Sequence, residues 1–316
     1  MSTDTAGTST GREYDLVHRT TYTYTAPVTD SYGRTVTTPR ELPDQHVVAT
    51  SLTVEPTPSD TTEHVDWFGN RTTYFGVTVP HEQLVVTSRS RLVVSRRAAS
   101  VDALPAVGWE DVARGVADGD LSDVKTDAAG LRSLREAVLP SRHVVPSDQV
   151  RAWAEPSFTP GAPLAEVLAD LAHRIRTEMT YRSGSTTVGT TQVELLEQRT
   201  GVCQDFAHLM IAALRAHGLP ARYGSGYIET RPPAGREKLR GADASHAWVS
   251  AWVPGAGWVE VDPTNDQFVD DRYVVLGWGR DYGDVPPLRG VIFSEGSGSQ
   301  LTVEVDLVPA GLVPFS

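Results

Sequence analysis

The chain has 316 residues, 40% hydrophobic and 22% charged, an ordinary globular composition with length for roughly two domains. Its net charge of −12 (28 Lys and Arg against 40 Asp and Glu) comes without a long basic run, which argues against nucleic acid as a partner. No stretch of about 18 apolar residues occurs, so no membrane partner is expected, and a single cysteine cannot form an intrachain disulfide.

Residues 1–11 are rich in Ser, Thr and Gly and lack the apolar stretch of a signal peptide, so a disordered start and a cytoplasmic location are expected. Residues 12–97 read as β-rich. Runs at 16–24, 47–54, 72–79 and 84–94 carry β-branched and aromatic residues, separated by Pro27, Pro39, Pro43, Pro56, Pro58 and the turn Gly69-Asn70. This punctuation predicts an all-β, sandwich-like N-terminal domain that packs against or shapes a site elsewhere. Its histidines, His18, His46, His64 and His81, are scattered without metal-like spacing and are assigned structural roles.

Residues 98–161 form a connector with short helices expected at 109–117 and 131–138. The second domain, 162–316, begins with a helix over 163–179, where Leu164, Val167, Leu168, Leu171 and Ile175 make one stripe. A Gly/Thr-rich loop at 183–191 and a short helix at 193–198 follow. The next helix starts near Cys203, carries Phe206, Leu209, Met210, Ala213 and Leu214 on one face, and stops at Gly218 and Pro220. The period then becomes two: strands at 221–230, 246–253 and 258–262, a polar loop at 231–244, and a closing hairpin over 291–308 around Gly296-Ser297-Gly298. Helices followed by antiparallel strands make this part α+β.

Cys203 falls in the first turn of its helix, where unpaired N–H groups and the helix dipole favour the thiolate. On the following hairpin, His246, Trp248, Ser250 and Trp252 share one face, as do Trp258, Glu260 and Asp262. For His246 and Asp262 to face the same way, paired residue numbers must sum to an even value. A five-residue loop, 253–257, sets Trp252 opposite Trp258 and His246 opposite Thr264, with Asp262 diagonal to His246 at ~7–8 Å along the backbone. A four-residue loop without a bulge puts the two on opposite faces. The even register gives a nucleophile, a base and an orienting carboxylate. The residues alone leave open the plainer alternative, a small buried cysteine packed as a hydrophobe.

Other candidates read as supporting groups. His208 lies about 140° round the helix from Cys203 and, with His217, takes an interior or surface role. Asp205 complements the helix dipole. Glu260 is the reserve for the orienting carboxylate, and Trp248, Trp252 and Trp258 are core or groove walls. One cysteine and dispersed histidines speak against structural zinc.

Gly201-Val202-Cys203-Gln204-Asp205-Phe206-Ala207, then His246-Ala247-Trp248-Val249, then Trp258-Val259-Glu260-Val261-Asp262-Pro263-Thr264-Asn265 resemble the bacterial transglutaminase-like superfamily of cysteine proteases and acyltransferases. Residues 13–95 resemble the β-rich N-terminal domain of many bacterial members, and 279–287 their post-catalytic segment. The resemblance implies a papain-like, transglutaminase-like α+β core of helices packed on an antiparallel sheet. It also implies a triad of Cys203 as nucleophile, His246 as base and Asp262 as orienting carboxylate. Eukaryotic relatives often supply a second oxyanion donor from an upstream tryptophan. None lies between Trp153 and Cys203, so Tyr181 or Gln192 is the substitute. No calcium-loop signature occurs, and no cofactor or metal is expected.

The resulting expectation is a cysteine amidase or peptidase that cleaves an amide through a thioester. Its substrate is a peptide, a protein or a small amide, and water is the acceptor because the polar loop 231–244 leaves the site wet. The alternatives are a protein-glutamine acyltransferase with an amine acceptor and a non-catalytic binding module of the same fold. The sequence specifies neither the acyl group nor an oligomeric state.

Overall fold

The computed structural model describes residues 11–120, 128–230, 245–294, 296 and 298–310. The expected disordered start (apart from Gly11), the polar loop 231–244 and Ser297 of the closing turn lie outside the described residues.

The N-terminal region is built around one long strand, β1 (Arg12–Thr35), followed by β2 (Gln45–Glu55), β3 (Asp60–Val65), β4 (Arg71–Val77) and β5 (His81–Val94). All pair antiparallel in the order β2-β5-β1-β4-β3. The pairing of β1 with β5 shifts register between Thr23 and Val28. Pro27 sits in that break, where its missing N–H interrupts no ladder bond. Beyond the break β1 pairs with β4 instead, so one strand serves two half-sheets. Tyr24, Val28, Phe75, Val77, Leu84 and Val86 form one apolar cluster here, and the N-terminal region is β-rich as expected, though its strands make one continuous sheet rather than two packed ones.

The connector carries α1 (Trp109–Asp118), α2 (Ala128–Glu136) and α3 (Asp148–Ala154), the last capped by Ser147, whose side chain accepts from Val150 N. Next comes α4 (Leu164–Glu178), with its stripe Leu164, Val167, Leu168, Leu171 and Ile175 fully buried. β6 (Thr180–Tyr181) runs parallel to β7 (Thr200–Gly201), and α5 (Gln192–Gln198) between them starts on a reciprocal Thr191–Glu194 cap. α6 (Cys203–Ala216) follows directly. Five strands complete this core: β8 (Ala221–Ile228), β9 (Ser245–Val253), β10 (Gly257–Asp262), β11 (Gln267–Phe268) and β12 (Tyr273–Gly279). They form one antiparallel sheet in the order β11-β10-β9-β8-β12. Helix α6, buried along most of its length, shares a core with Ala247, Val249, Ala251 and Val253 of β9.

Among the described residues the last two strands, β13 (Leu288–Ser294) and β14 (Ser299–Pro309), do not pair with each other as the expected closing hairpin would, and they belong to the other sheet. Both pair with β1, β14 along residues 14–24 and β13 along 28–35. The sequence grouped these residues with the catalytic core. Alternating hydrophobicity marks a buried face but does not name the neighbouring strand. Tyr14 and Leu16 of β1, Val305 and Leu307 of β14, and Tyr227, Val274 and Leu276 of the core share an apolar cluster that joins the two sheets. Among the described residues no helix is long and apolar enough to cross a membrane.

Candidate active site

The start of α6 is fixed by a carboxylate. Val202 is extended, and Asp205, in the first turn, accepts from its N–H at 2.8 Å and from Thr186 Oγ1 at 2.6 Å. Gly201 is required beside it, since a Cβ there would lie 2.9 Å from Asp205 Oδ2 and 2.7 Å from Leu195. Asp205 is buried, and burial raises its pKa against the lowering effect of these hydrogen bonds. Its role thus exceeds the dipole complement expected from sequence, because it pins the turn that presents Cys203, a free and partly buried thiol.

His246 begins β9 and Asp262 ends β10. Trp252 lies opposite Trp258 and Val249 opposite Val261, which is the even register. Val253 and Gly257 already pair across the turn, so the unpaired loop is only Pro254, Gly255 and Ala256. His246 Nε2 meets Asp262 Oδ2 at 2.6 Å. The Cys203 sulfur also interacts with the imidazole, and with Nε2 taken, Nδ1 is the nitrogen left to face it. Burial alone lowers the His246 pKa, but the Asp262 carboxylate and the Cys203 sulfur outweigh it and raise it to about 10.

Asp262 is fully buried. Oδ2 accepts from His246, from Asn265 Nδ2 at 2.6 Å and from Tyr273 OH at 2.7 Å; Oδ1 accepts from the backbone N–H groups of Thr264 (2.8 Å) and Asn265 (3.3 Å). Burial would raise its pKa, yet these donors and the imidazolium hold it below the usual carboxylate value. Tyr273, raised by burial and by Asp262, stays a protonated donor. It reaches Asp262 from β12, across two intervening strands. Glycine on β8 makes room: a Cβ at Gly226 would fall 2.8 Å from the Trp248 ring and onto the Val274 carbonyl.

The structure therefore brings Cys203, His246 and Asp262 together and leaves the other candidates outside. Glu260 turns to Arg96, 3.8 Å away. His208 is interior: its Nε2 accepts from Tyr282 N, and burial lowers its pKa to about 3. His217 stacks on Phe158 at the end of α6. Trp248 and Trp252 are buried, and Trp258 is partly buried. Gln192 is occupied, donating to His143 O and accepting from Val145 N. Tyr181 is half-exposed opposite Gly201, and burial and the Cys203 sulfur raise its pKa. Sequence reasoning missed Tyr273 and Asn265. Asn265 stood three residues from Asp262, whereas nothing local marks Tyr273. No group of three or more His, Cys, Asp or Glu is arranged for a metal among the described residues.

A family model described as the bacterial transglutaminase-like N-terminal region matches residues 14–93, and one described as the transglutaminase-like superfamily matches 151–263. An uncharacterized protein of Mycobacterium tuberculosis is 47% identical over 302 residues, 94% of this chain and 92% of that one. A protein-glutamine gamma-glutamyltransferase of Pseudomonas aeruginosa is 44% identical over 71 residues, 22% of this chain and 11% of that one. The crystal structure of a candidate cysteine protease from Cytophaga hutchinsonii superposes with a TM-score of 0.72 at 22% identity, covering 97% of this chain and 94% of that one. At that identity the likeness speaks for the fold.

Proposed function

Because the chain belongs to the transglutaminase-like superfamily, we propose that it is a cysteine amidase or peptidase working through a thioester on Cys203. The observation that carries this reading is the His246–Asp262 hydrogen bond set against Cys203 at the start of α6. With His246 held as imidazolium beside it, the Cys203 sulfur is the nucleophile. The thiolate attacks the amide carbonyl carbon. The C–N bond then breaks as His246 gives its proton to the departing amine, leaving a thioester. Water attacks that thioester while His246 takes its proton, and cleavage of the C–S bond releases a carboxylic acid and free Cys203. The backbone N–H of Cys203 and the Tyr181 phenol serve the developing oxyanion.

A second reading, transfer of the acyl group to an amine, is favoured by the local likeness to the Pseudomonas aeruginosa glutamyltransferase. One experiment separates the two. Amide substrates are screened for ammonia or amine release with and without an added amine, while acyl-Cys203 is followed by mass spectrometry. Release without added amine supports hydrolysis, and incorporation of the amine supports transfer. Cys203→Ala is expected to abolish the adduct; an adduct that persists on the variant removes Cys203 from the mechanism. A thiol that forms no adduct and resists iodoacetamide until the protein unfolds supports a binding module instead.

A further inference from the structure

Away from Cys203, β10 continues to a second concavity between the core sheet and the N-terminal region. It encloses about 580 Å³, and its apolar walls include Leu42, Leu104, Val259, Val269, Trp258 and Trp278. Arg222 enters it from β8, where it pairs with Ser250 of β9, itself opposite Glu260 of β10. The guanidinium carbon lies 4.1 Å from the Trp258 ring centroid and 3.9 Å from that of Trp278. Both faces of the group are thus covered by indoles, and only its edge is open. Nε reaches Ser250 Oγ at 3.3 Å. Among the described residues, the two terminal nitrogens have no hydrogen-bond or ion-pair partner.

The remaining charges at this cavity leave that edge uncompensated. Asp44 is held by Arg96 through two bonds of 2.7 and 3.0 Å, and Glu260 lies 3.8 Å from the same arginine. Arg97 also lines the cavity, so three guanidinium groups face two carboxylates, both engaged by Arg96. Burial, with the Arg40 cation adding to it, pulls the Arg222 pKa down to about 9 despite Glu260.

We propose that this cavity binds a monocarboxylate with an apolar or aromatic body, its two oxygens bidentate on the free edge of Arg222 and its body against the tryptophans and aliphatic walls. A planar fork fits a carboxylate, and the volume lies within the usual range for organic ligands. A phosphate dianion suits it less, given the largely apolar walls and Glu260 nearby.

The full-length protein is titrated calorimetrically with 4-phenylbutyrate and hexanoate, with their neutral amides, and with inorganic phosphate, while tryptophan fluorescence is followed. Saturable binding of at least one carboxylate is expected, with an amide weaker by about tenfold or more, the loss of a charge-assisted bidentate pair. Arg222→Gln and Arg222→Lys lose that preference; the lysine keeps the charge but not the fork. Leu104→Trp fills the cavity, leaves Arg222 in place and abolishes binding. The rate of Cys203 alkylation reports that each variant is folded, and Leu104→Trp decides the matter if the arginine variants are not. The proposal is overturned by equal binding of acid and amide, by affinity unchanged in the variants, by tighter binding of phosphate, or by neither carboxylate binding below about 10 mM.

Discussion

Asp262 accepts from His246, Asn265 and Tyr273 on one oxygen and from two backbone N–H groups on the other, so its charge and orientation are set before any substrate arrives. Tyr273→Phe removes one of these donors without changing shape. Each hydrogen bond to a charged group is worth about 1.5–3 kcal/mol, and the loss lets the Asp262 pKa rise. Stability from a depressed carboxylate is present above its unfolded pKa and lost as pH falls through the folded one. The variant is therefore expected to lose activity and thermal stability at a higher pH than wild type on the acid side, as a pH series of both will show. His246 carries the opposite sign. Its pKa is raised from 6.5 to about 10, so its ion-pair stabilisation is complete below about 6.5 and lost as pH rises through about 10. Under the proposed mechanism, the alkaline limb of kcat/KM is expected near 10; a limb near neutrality would show that the imidazole is not held charged. Of this cluster the sequence revealed the motif-borne members. Tyr273 escaped because its proximity to Asp262 is created by sheet order, with two strands between, and no spacing rule encodes that.

Two short features do most to position the nucleophile and its base: the first turn of α6 and the β9–β10 turn. Asp205→Ala removes the acceptor of Val202 N–H and of Thr186 at once. A lost helix cap costs about 1 kcal/mol, and here the first turn also carries Cys203. The expected outcome is a thermal midpoint lower by a few degrees and a larger proportional fall in Cys203 alkylation rate, measured with iodoacetamide below the transition. A fall in stability with unchanged alkylation would reduce Asp205 to a cap alone. The hairpin register was legible in advance because a period of two admits only two answers, and only the even one lets His246 and Asp262 meet. The stripe of α4 was legible for the same kind of reason, a repeat that matches one periodicity over many residues. The partner of β13 and β14 was not, since their alternation is equally suited to either sheet and does not show that both pair with β1 rather than with each other.

At the scale of the whole molecule, β12 is an edge strand whose outer groups are met by side-chain amides of the N-terminal region rather than by another strand. Gln45 donates to Val275 O and accepts from Val275 N, both at 2.8 Å; Asn70 does the same for Trp278, at 2.9 and 3.0 Å. Gln45→Ala leaves the Val275 N–H without an acceptor, and each buried polar group so stranded costs about 1–3 kcal/mol. The denaturant midpoint should fall accordingly with the slope unchanged, whereas exposed Thr53→Ala should leave it within error. The first and last strands are neighbours, with Tyr24 opposite Ser299 and Tyr14 opposite Pro309. During synthesis the outer edge of β1 must therefore wait for residues made long after it. At ~5–20 residues per second, the 275 positions from Tyr24 to Ser299 take roughly 15–55 s to emerge. The catalytic core can be fully translated before its neighbouring sheet is closed, so the nascent chain carries an open β1 edge for that interval.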